Sequence, residues 1–428
     1  MKARVVITGM GVVAPNAHGL EAYAKALREG RSGIRHIAAL AERGFGCQVG
    51  GIPENFAEVY TRYFPRDEES LQNDNIAFAA VAAVDAWQDA GFSVPAEDDD
   101  RVDWDTGVIA GCGVGGMDVI AKILVPFVNE GKVKRMGSRI VEQVMNSAPS
   151  ARIAGLLAVG NQSTSNSSAC STGNEAIIEG MWRIRTGRAR RMLCGGSEGS
   201  SLYIWAAFDA MRVICRKFND CPEAASRPLS ASAAGFVPGA GAAFLLLEDF
   251  ESARARGARI YAELIGGAVN CGGHRMGGSM TAPNPEGVRR CIQAAVADAG
   301  ISPWQIDAIN GHLTATFADP LEVKNWAAAL EREADDFPYI NSTKSLIGHC
   351  LGAAGAIESV AAVLQLHHGF LHPSLNSEDI HPDIAAFDRK IPRDGMDFPE
   401  LKIIAKACFG FGDVNSCMLF KKWENGDG

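Results

Sequence analysis

Apolar positions along the chain follow two rhythms: short runs rich in β-branched residues, and Ala-rich runs of helical period. ARVVITGMGVV (3–13) reads as a strand entering a Gly turn, and NIAFAAVAAVDAWQDAG (75–91) as a helix stopped by glycine. TGVIAGCGVGG (106–116) is a strand running into glycines. GNEAIIEGMWRIRTG (173–187) is a helix, RRMLCGGSEGS (190–200) a strand, and AGAAFLLLED (240–249) a buried strand. A second series follows. RIYAELIGGAVN (259–270) predicts a strand, PEGVRRCIQAAVADAG (285–300) a helix, and IDAINGHLTAT (306–316) a strand with a polar end. ADPLEVKNWAAALERE (318–333) and GAAGAIESVAAVLQLHHG (352–369) predict helices, and 401–422 two strands around a Gly-rich turn. The alternation implies an α/β layered fold with buried sheets. The two series look like rough echoes, divided near residue 250 into halves 1–250 and 251–428, without sequence identity between them. AEDDD (96–100) reads as an acidic surface loop and 423–428 as a frayed tail.

Composition narrows the class. The 428 residues are 47% hydrophobic and 21% charged, as in a globular protein. That length exceeds one simple core. A formal net charge of −9 argues against nucleic acid as the main partner. The apolar start is broken by glycines and reads as a core strand rather than a signal peptide. No stretch is long enough to insert in a membrane. The eleven cysteines are scattered, with no CxxC pair and no zinc spacing, which suggests reduced thiols and a cytoplasmic setting.

One cysteine differs from the rest. In SSACSTGNEAI (167–177), Cys170 sits among small residues at the start of an amphipathic helix. The helix dipole there favours thiolate, and nearby amides suit an oxyanion. A free cysteine is by default a small buried hydrophobe, and that reading fits the other ten. Two further segments carry candidate chemistry. INGHLTAT (309–316) ends a predicted strand with His312, Thr314 and Thr316. STKSLIGHCLGAAGAIE (342–358) sets Lys344, His349 and Glu358 around a Gly turn. Taken singly, such histidines are more often structural and such a Lys–Glu pair ordinary.

Together, SSACSTG, His312 with its TxT, TKSLIGHCLGAAG and FGFGDVNS resemble the signature blocks of the β-ketoacyl-acyl carrier protein synthases. The resemblance is to the elongating condensing enzymes of the thiolase superfamily. VVITGMGVVAPNA, GCGVGG (111–116), SRPLSASAAGFVPGAGA (226–242) and MTAPNPEG (280–287) extend it over nearly the whole chain. It implies a five-layered αβαβα sandwich of two duplicated halves, usually a homodimer. It also implies a decarboxylating Claisen condensation between an acyl chain on Cys170 and malonyl carrier protein. No cofactor is expected, since phosphopantetheine arrives on the acyl carrier protein. The resemblance makes His312 and His349 donors to the malonyl thioester oxygen and Lys344 and Glu358 an orienting ion pair. The amides of Cys170 and Phe411 would form the oxyanion hole, with Phe411 as gate. Thr314, Thr316 and Thr281 would bind the pantetheine arm, and Val114 would close the acyl tunnel across the dimer.

The chain departs from the family pattern at Leu313, Asp413, Ser279 and Ser232–Ala233–Ala234, which suggests a reshaped pocket and a specialised lipid, polyene or polyketide role. Asp413 replaces a residue free to take positive φ, so the gate loop's flexibility is open. The usual basic docking surface is thin: PRDEESLQND (65–74) has only Arg66. Arg212, Arg216 and Lys217, with Lys132, Lys134, Arg135 and Arg139, are the alternative patch for an acidic carrier protein, or else a solvated face. Three competing readings remain at this level. One is a decarboxylase only, which would keep the histidines but not need Cys170. Another is a thiolase acting on coenzyme A esters, with Cys408 as its second cysteine. The third is the active half of a heterodimer with a chain-length partner.

Overall fold

The computed structural model describes residues 2–65 and 73–424. Arg66 and most of the segment before the first long helix lie outside these residues, as does the end of the tail. The expected strands and helices form with ends moved by a few residues. The strands of the main sheet that matter here are β1 (Val5–Ala14), β2 (Thr106–Cys112), β3 (Ser163–Thr164), β4 (Arg191–Glu198) and β5 (Gly241–Asp249). They continue with β6 (Ala262–Cys271), β7 (Ala308–Asn310), β8 (Tyr339–Asn341), β9 (Ile403–Gly410) and β10 (Val414–Lys422). The main helices are α1 (Asp74–Asp89), α2 (Ala148–Leu157), α3 (Thr172–Arg185), α4 (Pro285–Ala299), α5 (Asp319–Leu330) and α6 (Ala354–His368).

Strand order carries the duplication that the sequence only hints at. The first five strands lie in the order β3-β2-β4-β5-β1 and the second five in the order β8-β7-β9-β10-β6. Numbered within its own half, each reads 3-2-4-5-1. In both, the first two pairings are parallel and the last two antiparallel. A short antiparallel contact joins the halves where Val6 meets Glu263 and Ile7 meets Ala262.

The helices make three layers around these sheets. α1 lies on β1 and β5, and α2 on β2; α4 covers β6 and β10, with α5 packed against it. α3 and α6 touch each other between the sheets. That middle position explains why α6 is apolar on nearly every side: every residue from Ala354 to Leu366 is buried. Close approach there requires glycine. A Cβ on Gly173 would stand 2.5 Å from the Ala356 nitrogen, and one on Gly355 2.6 Å from the Asn174 nitrogen. The Gly stop predicted for α1 is met by Gly91, at a φ of 87° just past the Ala90 cap, and α4 and α6 end likewise on Gly300 and Gly369, which take the left-handed conformation.

One element is shorter than its pattern suggests. The strand expected over 306–316 stops at Asn310. Past that point the backbone N–H groups of His312 and Leu313 donate to Glu322, and those of Thr314 and Ala315 to Asp319. Carboxylates on α5 take the place of a neighbouring strand, and Leu313 and Ala315 adopt positive φ.

Candidate active site

Cys170 stands in a tight 3-10 turn, Ala169–Ser171, that feeds into α3. Ala169 has φ of 49°, an uncommon conformation for a non-glycine residue, and Cys170 next to it lines the cavity. β9 passes close beneath. A Cβ on Gly410 would stand 3.0 Å from the Cys170 nitrogen and 3.2 Å from the Ser168 carbonyl, so glycine is needed for this approach. The approach aims the Phe411 N–H at the Cys170 sulfur.

His349 closes the other side. Its Nε2 is 3.0 Å from the Cys170 sulfur, and its Nδ1 accepts the N–H of Leu351 at 3.2 Å. His312 lies edge-on to His349, with ring centroids 5.3 Å apart. Its buried Nδ1 has no hydrogen-bond partner among the described residues. The thiol and both imidazoles bring their reactive atoms within 4.8 Å of one another. Such a trio is able to bind a metal ion; the direct imidazole–thiol contact instead fits a site that holds an anion beside the sulfur.

The electrostatics correct one expectation. The helix start was expected to favour thiolate, but burial pushes the Cys170 thiol up to about 12, helped by the neighbouring Cys408. Lys344 and the Phe411 N–H pull the other way without prevailing. Both imidazoles are held well below the usual histidine range, by burial first and then by Lys344 and Lys406, with His349 adding to the effect on His312. They are therefore neutral near pH 7.

Lys344 and Glu358 are ion-paired at 2.5 Å in the interior. Lys406, which sequence reasoning missed, pairs with the other carboxylate oxygen at 2.6 Å. A lone lysine in the apolar run IIAKACFG was the available signal. Glu322 and Asp319 were also missed, although an acidic pair one turn apart at the start of α5 announces them. Burial pushes Glu322 up to about 7.

A cavity of about 360 Å³ opens onto Cys170, His312 and His349. Ile204, Phe208, Val213 and Phe236 are among its apolar lining, and Thr281, Thr314 and Thr316 line it with hydroxyls. The two TxT hydroxyls are 3.0 Å apart. Phe411 and Val114 also line it, Val114 being half-exposed. Cys408 is fully buried behind Phe409, outside the lining, with its sulfur 3.4 Å from Lys406 Nζ.

The departures have structural consequences. Leu313 is buried at a positive φ of 26° and packs into the core around α4 and α5. Asp413 keeps the positive φ of the turn, at 60°, and its buried carboxylate accepts the N–H groups of His274 and Asn284. The gate turn is thereby tied to the 271–284 loop that carries Thr281. In the alternative basic patch, Lys132, Arg139 and Arg216 are each bound to a nearby acid: Glu130, Glu142 and Asp209.

Comparisons with known proteins agree with this geometry. Residues 2–253 match the model of the beta-ketoacyl synthase N-terminal domain and 261–378 that of the C-terminal domain. The chain is 34% identical over 429 residues to 3-oxoacyl-[acyl-carrier-protein] synthase I, chloroplastic, of Arabidopsis thaliana, covering 99% of this chain and 87% of that one. Among solved structures, the ishigamide ketosynthase/chain length factor superimposes with a TM-score of 0.86 at 29% identity, over 99% of this chain and 100% of that one. A type II PKS acyl-carrier protein in complex with its ketosynthase bound to the hexaketide gives 0.86 at 28%, with the same coverage. The chain belongs to the beta-ketoacyl synthase family, on the thiolase-like fold. It is a condensing enzyme of the KAS I/II type.

Proposed function

We infer that this condensing enzyme joins a Cys170-bound acyl chain to a malonyl unit, both delivered on acyl carrier protein, in fatty-acid or related polyketide biosynthesis. The single observation that carries the reading is the convergence of Cys170, His349 and His312 in the wall of a cavity that is otherwise lined by apolar side chains and three threonines.

In the first half-reaction the Cys170 thiol attacks the carbonyl of the incoming thioester; the bond to the carrier's sulfur breaks, and the thiol proton passes to that sulfur, which leaves as the carrier's thiol. With the sulfur acylated, the amides of Cys170 and Phe411 face the acyl carbonyl oxygen. In the second, malonyl carrier protein loses CO2. The electron pair of the broken C–C bond becomes an enolate, whose oxygen accepts hydrogen bonds from His349 and His312. The enolate carbon attacks the acyl carbonyl and expels the Cys170 thiolate. Lys344 and Glu358 hold the site's charge in place, Thr281, Thr314 and Thr316 bind the pantetheine arm, and Phe411 gates the acyl pocket.

We read the chain as two halves, 1–250 and 251–428, on the repeated strand order. We also read it as paired with a second chain of the same fold, a copy of itself or a chain-length partner. Val125, Val128, Val133 and Val141 support this, being exposed apolar side chains on the excursion between β2 and α2. No helix among the described residues is long and apolar enough to cross a membrane, and all eleven cysteines are free. A cytoplasmic setting is part of the same reading. The thiolase alternative is disfavoured because Cys408 lies outside the cavity lining.

Intact-protein mass spectrometry after incubation with a panel of acyl carrier proteins tests the reading. An acyl adduct that is lost in Cys170→Ala, with CO2 released from malonyl carrier protein, is the expected result. Self-condensation of acetyl-CoA without CO2 release would overturn it in favour of a thiolase.

A further inference from the structure

Glu358 is gripped by two lysines rather than one. Lys344 Nζ lies 2.5 Å from its Oε1 and Lys406 Nζ 2.6 Å from its Oε2, and none of the three side chains is more than 1% exposed. The Lys406 ammonium also donates to the Ala407 carbonyl at 2.6 Å and to the Cys408 sulfur at 3.4 Å. One ammonium is enough to neutralise a carboxylate. The second leaves the cluster with a surplus positive charge in the interior, and such a charge is costly unless an anion shares the space. Condensation supplies anions here in turn: the Cys170 thiolate, the malonyl carboxylate and the enolate.

We propose that Lys406 is a positioning residue of the condensation: by making the Lys344–Glu358 pair a Lys–Glu–Lys cluster, it sets surplus positive charge behind His312 and His349 and keeps both imidazoles unprotonated in acid. The inference rests on the reading of these histidines as neutral donors to the enolate. The charged and titratable groups around the two rings come from several elements. Lys344 comes from the short helix Lys344–Ile347, Lys406 and Cys408 from β9, and Cys170 from its turn. Glu322 and Asp319 come from α5 and Glu358 from α6, with Glu198 of β4 and Cys350 near the thiol side. Glu322 opposes the lysines, since its carboxylate takes the His312 N–H. Both rings nevertheless stand well below the ordinary histidine range, with Lys406 among the causes for each.

The test is the pH profile of malonyl carrier protein decarboxylation by the wild type, Lys406→Met and Lys406→Arg. The wild type should keep its activity to below about pH 6. Lys406→Met should lose it at a pH about one unit higher, with its rate above pH 8 within about tenfold of the wild type, and Lys406→Arg should follow the wild type. A purely structural lysine would lower the rate at every pH and leave the acid limb where it was, which would overturn the proposal. If Lys406→Met does not fold, Lys406→Gln takes its place, and the wild-type profile still decides: an acid limb at or above about pH 6.5 overturns the proposal unaided. A wild type that releases no CO2 at any pH overturns the functional reading as well, so the two failures are distinct.

Discussion

The Nε2 atom of His349 lies 3.0 Å from the Cys170 sulfur while its Nδ1 is already occupied by the N–H of Leu351. That backbone bond selects the tautomer: in the neutral ring the proton is on Nε2, which makes His349 a donor into the cavity. A ring fixed this way is poorly arranged to strip a proton from the thiol. It is well arranged to hold a sulfur anion or an enolate oxygen.

The half-reactions should therefore separate. His349→Ala and His312→Ala are expected to lose decarboxylation by about 10²-fold or more, with a smaller loss of acyl transfer to Cys170. His349→Gln, which retains an N–H donor, should recover part of the rate. Single-turnover assays of the two steps decide this, and an equal loss in both would contradict the donor role.

The buried cluster makes a stability prediction. Glu358→Gln leaves two ammonium groups in the interior without their shared anion, at a cost of about 3–5 kcal/mol. Lys406→Met keeps the Lys344–Glu358 pair and should cost less. Urea denaturation of both variants checks the order. A Glu358→Gln protein as stable as the wild type would mean that the lysines are not confined as their burial implies.

Much of this was legible in the sequence, for identifiable reasons. Strands and helices have distinct apolar periods, so all but one of the main expected elements form close to the expected ends. The exception, the segment after Asn310, failed because its N–H partners are carboxylates four to ten residues along the chain, which periodicity does not register. Cys170, His312 and His349 were found because they stand in dense local motifs. Lys406 and Glu198 were not, because each sits alone in an apolar strand and acquires its role only from partners distant in sequence. The Cys170 acidity was misjudged for a related reason: the helix start is a local feature, whereas burial belongs to the assembled fold.

Asp413 makes a prediction for the gate. Its carboxylate accepts from His274 at 3.0 Å and from Asn284 at 2.8 Å, and charge-assisted bonds of this kind contribute about 1.5–3 kcal/mol each. Asp413→Gly relieves the positive φ yet removes both bonds. Amide hydrogen exchange should accelerate at His274, Asn284 and the 410–413 turn while the sheets keep their protection. Unchanged exchange at those amides would show that the turn is held without the carboxylate.

Glu198 supplies the pH prediction. Its carboxylate receives the N–H groups of Gly113, Val114 and Gly352, yet burial pushes it up to about 7 from an ordinary 4.5. Between these values the folded chain holds a proton that the unfolded chain has released. Stability from this group is thus full below pH 4.5 and falls as pH rises through 7. Glu198→Gln removes that dependence. The variant is less stable overall, since an amide NH2 cannot accept the N–H bonds, but its deficit relative to the wild type should shrink between pH 5 and pH 8. The comparison cancels the opposing contribution of the buried histidines, which both proteins share. Denaturant melts at the two pH values measure it, and a deficit that stays constant or grows toward pH 8 would mean that Glu198 is already ionised in the folded protein at pH 5.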